Sequence, residues 1–435
     1  MNATTPPTAP ARPGRYAQLD GLRGLAALMV VLSHFMLALE PGMLSGAADV
    51  HHFPGGPWIA RSPLIFFWNP ELGVAIFFVL SGFVLAATTA ARPAPWGELA
   101  LRRWIRLSLP VLGTSLLIWP IAAAGLFYSV PLGAIAKSSW LSGQYAWLSF
   151  AQPRLWLVFW QSLIDLYARR IDYWNAALWT MPTEFWGSLG LFAAYAVLRR
   201  FSRRPWTGVA VAVAAAAVTW QSQYLGFALG ALLFEALHPR PARPLRRFAV
   251  LGGVLGVAGF LLGGTPYVVD HSLYWHPFLW LAPFIANPVY LMHRIGAFCL
   301  VGAALLSPPL RWVLTTRPLQ FLGRVSFMLY LCHVPILASI VSWIVLRLIP
   351  LLGYGRAAAV GLVTLVAISL AVARLLTRLL DQPAMRLSHQ WGAAGPRGGA
   401  AADGPAAAGA GGNRQRLIIP AAQVPEPFSG GAGIA

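Results

Sequence analysis

Arg23 and His34, eleven residues apart, are the first two residues in this chain whose types and spacing could do chemistry. They lie in QLDGLRGLAALMVVLSHFMLAL, an apolar stretch from Gln18 to Leu39. At about 100° per residue the interval closes nearly three turns, so a helix puts both side chains on one face, ~16 Å apart along its axis. A neutral imidazole can take a proton from a hydroxyl near pH 7, provided a partner holds the tautomer whose accepting nitrogen is free. By position Glu184, in WTMPTEFW, is the best orienting carboxylate, because it opens an apolar run where a buried acid needs a partner. Asp20, one turn before Arg23, is the rival. It reads more naturally as a helix cap or as the partner of that arginine.

A second group is the run RRWIR. Arg103 and Arg106 are three apart and therefore neighbours on a helix surface. Guanidinium forks suit phosphate oxygens, such as those of a coenzyme A thioester approaching from that end. The same two residues fit topology-setting charge equally well, and Arg102 is read that way. Other ionisable groups interrupt apolar runs: Glu235, His293, Arg294, Arg324 and His333. A charge at mid-bilayer costs about 3 kcal/mol on insertion scales, so such groups should face the bundle interior. Glu235, at a span end beside basic residues, reads as an interfacial ion-pair partner, and His293–Arg294 as a pair that can snorkel. His333 taken alone reads as a hydrogen-bonded core histidine. The two cysteines, Cys299 and Cys332, lie in apolar segments and suggest neither a disulfide framework nor a metal site.

The elements that must position these groups follow from composition. Of 435 residues, 57% are hydrophobic and only 10% charged, against roughly a quarter charged in soluble domains. Several apolar runs reach the ~20 residues that cross a bilayer, which predicts an all-α, polytopic membrane bundle. The net charge of +19 is almost all arginine, Lys137 being the lone lysine. The arginines cluster between apolar runs, the pattern of the positive-inside rule and not of nucleic-acid binding. Spans are expected near 22–40, 73–91, 107–128, 182–198, 248–264, 289–310, 321–347 and 357–380. Residues 207–220 and 222–237 are either two short spans or one re-entrant hairpin. With both termini cytoplasmic, the clusters at 92–106, 199–204, 240–247 and 311–317 fall on one side, giving about ten transmembrane helices. Residues 1–17 and the Gly/Ala/Pro-rich stretch 390–435 read as disordered tails around a membrane domain at 18–389. The Trp/Tyr-rich segment 140–174 reads as interfacial, although its rings could also stack on sugars.

LDGLRGLAALMVVLSH resembles the opening motif of the membrane-bound acyltransferase family 3: an arginine, ten residues, then a histidine. The resemblance continues through GVAIFFVLSGFVL (Gly73–Leu85), the R-x-x-R of Arg103 and Arg106, the W-x-x-x-x-E of Trp179 and Glu184, FLGRVSFMLYLCHVPI (Phe321–Ile336) and DQPAMRL (Asp381–Leu387). Two positions depart from the family pattern: Pro182 before Glu184, and Asp381 where a glutamate is usual. The resemblance implies transfer of an acyl group, acetyl by expectation, from acyl-CoA to a hydroxyl of a saccharide, lipid or small molecule. It implies no bound cofactor, His34 and Glu184 as catalytic groups, and Arg23, Arg103 and Arg106 on the donor. Asp20, Arg324 and His333 would support them. The setting implied is a multi-pass protein among the lipids of a bacterial cytoplasmic (inner) membrane. The competing expectation is a proton-coupled transporter of a saccharide or lipid, with the buried histidines and Glu184 as relay groups. No inverted repeat supports it.

Overall fold

The computed structural model describes residues 16–45, 50–91, 94–171, 173–201, 205–237, 248–267 and 287–393. No strand occurs among them. Ten helices make the frame. In chain order they are α1 (Ala17–Leu39), α2 (Pro70–Ala91), α3 (Trp96–Ala123), α4 (Thr180–Phe201), α5 (Pro205–Thr219), α6 (Leu225–Leu237), α7 (Ala249–Gly263), α8 (Pro288–Leu306), α9 (Arg317–Leu352) and α10 (Tyr354–Gln390). Six of them, α1, α2, α3, α8, α9 and α10, are long and apolar enough to cross a membrane. The two runs left open above form separate helices, α5 and α6, packed against each other.

α1 is the centre of the bundle. It packs against α9, α2 and α8, and α9 in turn carries α10. α1 approaches α9 and the short helix before it closely, and small residues make it possible. A Cβ on Gly24 would lie 2.5 Å from the Gly323 amide nitrogen, while Gly21 backs onto the Leu314 carbonyl. Without a hydrophobic drive between helices in lipid, such backbone contact is how dispersion holds them together. Gln320 Nε2 adds a hydrogen bond to Ala17 O at 2.7 Å.

α3 begins eleven residues before the expected 107, which draws the whole RRWIR run into the helix. Pro95 precedes it, and Glu98 pairs with Arg102 one turn on at 2.5 Å. That local pairing lets the charged turn stay helical. The helix also absorbs Pro110 and Pro120.

α9 and α10 each contain one widened π-turn, at Leu337–Val341 and Thr377–Asp381. The first follows Pro335, whose missing N–H breaks the ordinary ladder. Ser339 donates back to Pro335 O at 2.6 Å, the Leu331 carbonyl that Pro335 leaves open accepts from Asn175 Nδ2, and Ala338 O accepts from Tyr128 N at 2.8 Å. The second π-turn ends on Asp381.

Residues 129–179 are not a simple surface strip. They form short helices, including Ser139–Gly143 and Leu155–Trp160, that fold back over the bundle. Phe150, Trp156 and Trp160 are exposed, as interfacial residues should be, but Tyr145, Tyr167 and Trp174 are buried. Asn175 Nδ2 reaches Leu331 O at 2.6 Å, and Ser138 Oγ donates to Leu37 O at 2.5 Å. His52 ties the same region down through Ala136 O at 3.0 Å. The expected disordered tails fall, apart from a few residues at their inner ends, on 1–15 and 394–435, outside the described residues. The arginine cluster at 240–247 lies outside them too.

Candidate active site

His34 stands on α1 eleven residues beyond Arg23, five from the helix end. Its imidazole is 8% exposed. Nδ1 lies 3.0 Å from Val30 O, the carbonyl one turn back, and 3.0 Å from Nε2 of His333 on α9. The His333 ring is fully buried, and its Nδ1 lies 3.1 Å from Leu329 O. The two ring centroids are 4.9 Å apart. Trp140, on the short helix Ser139–Gly143, covers His34 from another side at 5.0 Å between centroids. Nε2 of His34 has no hydrogen bond among the described residues, so it is the nitrogen left for a substrate.

Below this pair lie the arginines, each matched to a carboxylate. Arg103 on α3 pairs with Glu184 on α4, and Ser81 on α2 donates to the same Glu184 oxygen at 2.5 Å. Arg106, one turn further along α3, pairs with Asp381 at the π-turn of α10. Its guanidinium also lies over the Phe327 ring, 5.2 Å from the centroid. Phe327 is six residues before His333 on α9, or ~9 Å along the axis. Arg23 pairs with Asp20 at 3.3 Å and lies within the electrostatic reach of Glu184, Arg106 and Asp381. Three cations and three carboxylates from α1, α3, α4 and α10 therefore lie within electrostatic reach of one another.

Arg23 and Asp20 are partners, and the side chains of Arg103 and Arg106 are mostly removed from solvent. One assignment is corrected. Glu184 does not orient His34: its contacts are Arg103 and Ser81, and the group on His34 Nδ1 is His333. The reason is reach, since α4 enters the bundle beside α3 and presents its first turns to the arginines. Arg324 is exposed on α9, next to the Gly323 contact, and makes no ion pair among the described residues. Sequence reasoning missed Asp381, Ser81 and Trp140 as members of the site. The first two lay inside quoted motifs, DQPAMRL and GVAIFFVLSGFVL, and nothing in local sequence ties Trp140 to His34. Among the described residues no cluster of His, Cys, Asp and Glu could hold a metal ion.

The family model described as an acyltransferase domain matches residues 16–376, most of the chain and every one of these groups except Asp381. The chain belongs to the acyltransferase 3 family. Similar curated proteins include O-acetyltransferase PaAT-1 of Phomopsis amygdali, 26% identical over 77% of this chain and 75% of that protein. Acyltransferase R4 of Phoma sp. (strain ATCC 20986 / MF5453) is 21% identical over 74% of this chain and 83% of that protein. No solved structure matches. This acyltransferase 3 protein is thus a multi-pass membrane O-acyltransferase, and the transporter alternative gives way.

Proposed function

We propose that the protein transfers an acyl group, acetyl by expectation, from coenzyme A to a hydroxyl of a saccharide, lipid or small molecule, with His34 as general base. The observation that carries this reading is the one-sidedness of His34. Its Nδ1 is engaged twice by the protein, while Nε2 has no hydrogen bond among the described residues. The acceptor oxygen would lose its proton to Nε2 as it attacks the thioester carbonyl. The new C–O bond forms, the C–S bond breaks, and the proton passes from His34 to the departing sulfur. The acidic partners hold the arginines in place, and donor phosphates would compete for the same guanidinium forks. The long pantetheine arm of coenzyme A suits the ~16 Å rise from Arg23 to His34.

Topology supports the same direction of entry. Leu314 against Gly21 and Arg106 in the field of Arg23 bring two arginine-bearing segments to the Arg23 end of α1. By the positive-inside rule that end is cytoplasmic. About ten helices then cross in alternation with both termini inside, the α5–α6 hairpin returning to its starting side.

The test is acyl transfer by purified protein carrying His34→Ala. Turnover should fall by about 10²-fold or more, the usual contribution of a general base. Wild-type turnover at normal expression would remove the assignment.

A further inference from the structure

We propose that His333 is a positioning residue: it fixes the tautomer of His34 so that the lone pair on His34 Nε2 faces the acceptor hydroxyl. The inference rests on the base role given to His34 above and adds the group that makes that role possible.

Three contacts carry it. His333 Nδ1 is 3.1 Å from Leu329 O, and a carbonyl can only accept. Nδ1 of His333 therefore holds the hydrogen, and in a neutral ring its Nε2 is a lone pair. That lone pair is 3.0 Å from His34 Nδ1, which must then be the donor. The same Nδ1–H also points at Val30 O, 3.0 Å away. With its hydrogen shared between those two acceptors, neutral His34 has its remaining lone pair on Nε2.

The opposite assignment fails on the same distances. If His333 Nε2–H donated to His34 Nδ1, two lone pairs would face two carbonyl oxygens, Leu329 O and Val30 O. Both repulsions would sit in a site where His333 is fully buried and His34 nearly so. Only one tautomer pair satisfies all three contacts. Each ring is held by the carbonyl of its own preceding turn, so neither can flip without losing a bond.

During transfer the acceptor proton moves to His34 Nε2, and the resulting imidazolium keeps its Nδ1–H on the His333 lone pair. That bond is charge-assisted and strengthens as charge develops. When His34 returns the proton to the leaving sulfur, His333 is neutral as before. A neutral imidazole thus does the orienting that a carboxylate would do elsewhere, and Glu184 stays committed to Arg103.

The experiment compares His333→Leu, which removes the acceptor, with His333→Gln, whose Oε1 can reach the place of Nε2. Both are measured alone and in a His34→Ala background, by thiol release and by mass of the acylated product. His333→Leu should lower kcat by about 10²-fold at unchanged donor KM. His333→Gln should recover about tenfold of that loss. In the His34→Ala background His333→Leu should cost nothing further, because residues acting as a unit are not additive. Gln no better than Leu, or a loss that multiplies with that of His34→Ala, would overturn the inference and leave His333 a packing residue. Full activity in His333→Leu beside a crippled His34→Ala overturns it while sparing the base. Full activity in His34→Ala overturns both.

Discussion

Gly24 and Gly323 meet backbone to backbone, and each lies ten residues before one of the two touching histidines, His34 and His333. Equal offsets mean that α1 and α9 run side by side in the same direction, with ~15 Å of helix between the glycine contact and the imidazole contact. The glycines set the register, and the register sets the pair. Gly24→Leu should therefore destabilise the protein by about 1–3 kcal/mol through overpacking. Activity should fall further than stability accounts for, because a small splay at the glycines separates the rings above. Gly97→Ala is the control, since a Cβ there meets nothing within 4 Å. Thermal unfolding in detergent, followed beside acyl transfer, separates the two effects.

Arg103 and Glu184 form a pair largely removed from solvent, 17% and 12% exposed at the side chain. Breaking such a pair leaves an uncompensated charge and costs about 3–5 kcal/mol, whereas replacing both partners with apolar groups can be neutral. Glu184→Leu alone should thus be strongly destabilised, and Arg103→Met with Glu184→Leu should recover the stability. Donor binding should not recover. If Arg103 engages donor phosphates, the double variant folds normally yet has a donor KM raised by about tenfold, with acceptor KM unchanged. Recovery of donor KM along with stability would make the arginine structural only.

Trp140 lies against the His34 ring, on a segment that also holds Ser138 against Leu37 O. A ring contact of this kind is worth about 1 kcal/mol beyond buried area. Trp140→Ala should lower kcat/KM for the acceptor by about tenfold and leave donor KM unchanged. Trp140→Phe, which keeps a ring at the contact, should lose far less. An equal effect on donor and acceptor would place Trp140 in general packing.

The helical bundle was readable because its signals are local. Apolar run length, arginine clusters and the Arg23–His34 interval all lie within one turn or one span. The start of α3 was misplaced because Glu98 and Arg102 neutralise each other one turn apart, which hydropathy alone counts as two charges. The candidate site was legible as an inventory and not as a wiring plan. Arg106 and Asp381 are 275 residues apart, and His34 and His333 are 299 apart. No periodicity encodes which of several buried acids reaches which arginine; that follows from helix order around α1. Glu184, whose partners are Arg103 and Ser81, is the case in point.

The orientation of the chain can be read directly with single cysteines, because the two native ones, Cys299 and Cys332, are buried and should react slowly. Ser149, exposed on the segment over the histidine end of α1, lies on the far side of the membrane if the arginine end is cytoplasmic. On the same orientation Thr315, exposed beside the Leu314–Gly21 contact, lies on the cytoplasmic side. Ser149→Cys should react with a membrane-impermeant maleimide on intact cells, and Thr315→Cys only after the membrane is opened. Two substitutions at exposed positions should each change stability by less than about 0.5 kcal/mol, so a negative result is not a folding defect. Labelling of both from the same side would break the alternation of the helices and detach the arginines from the cytoplasmic donor. The reverse pattern would invert the protein and place the donor path on the outer face.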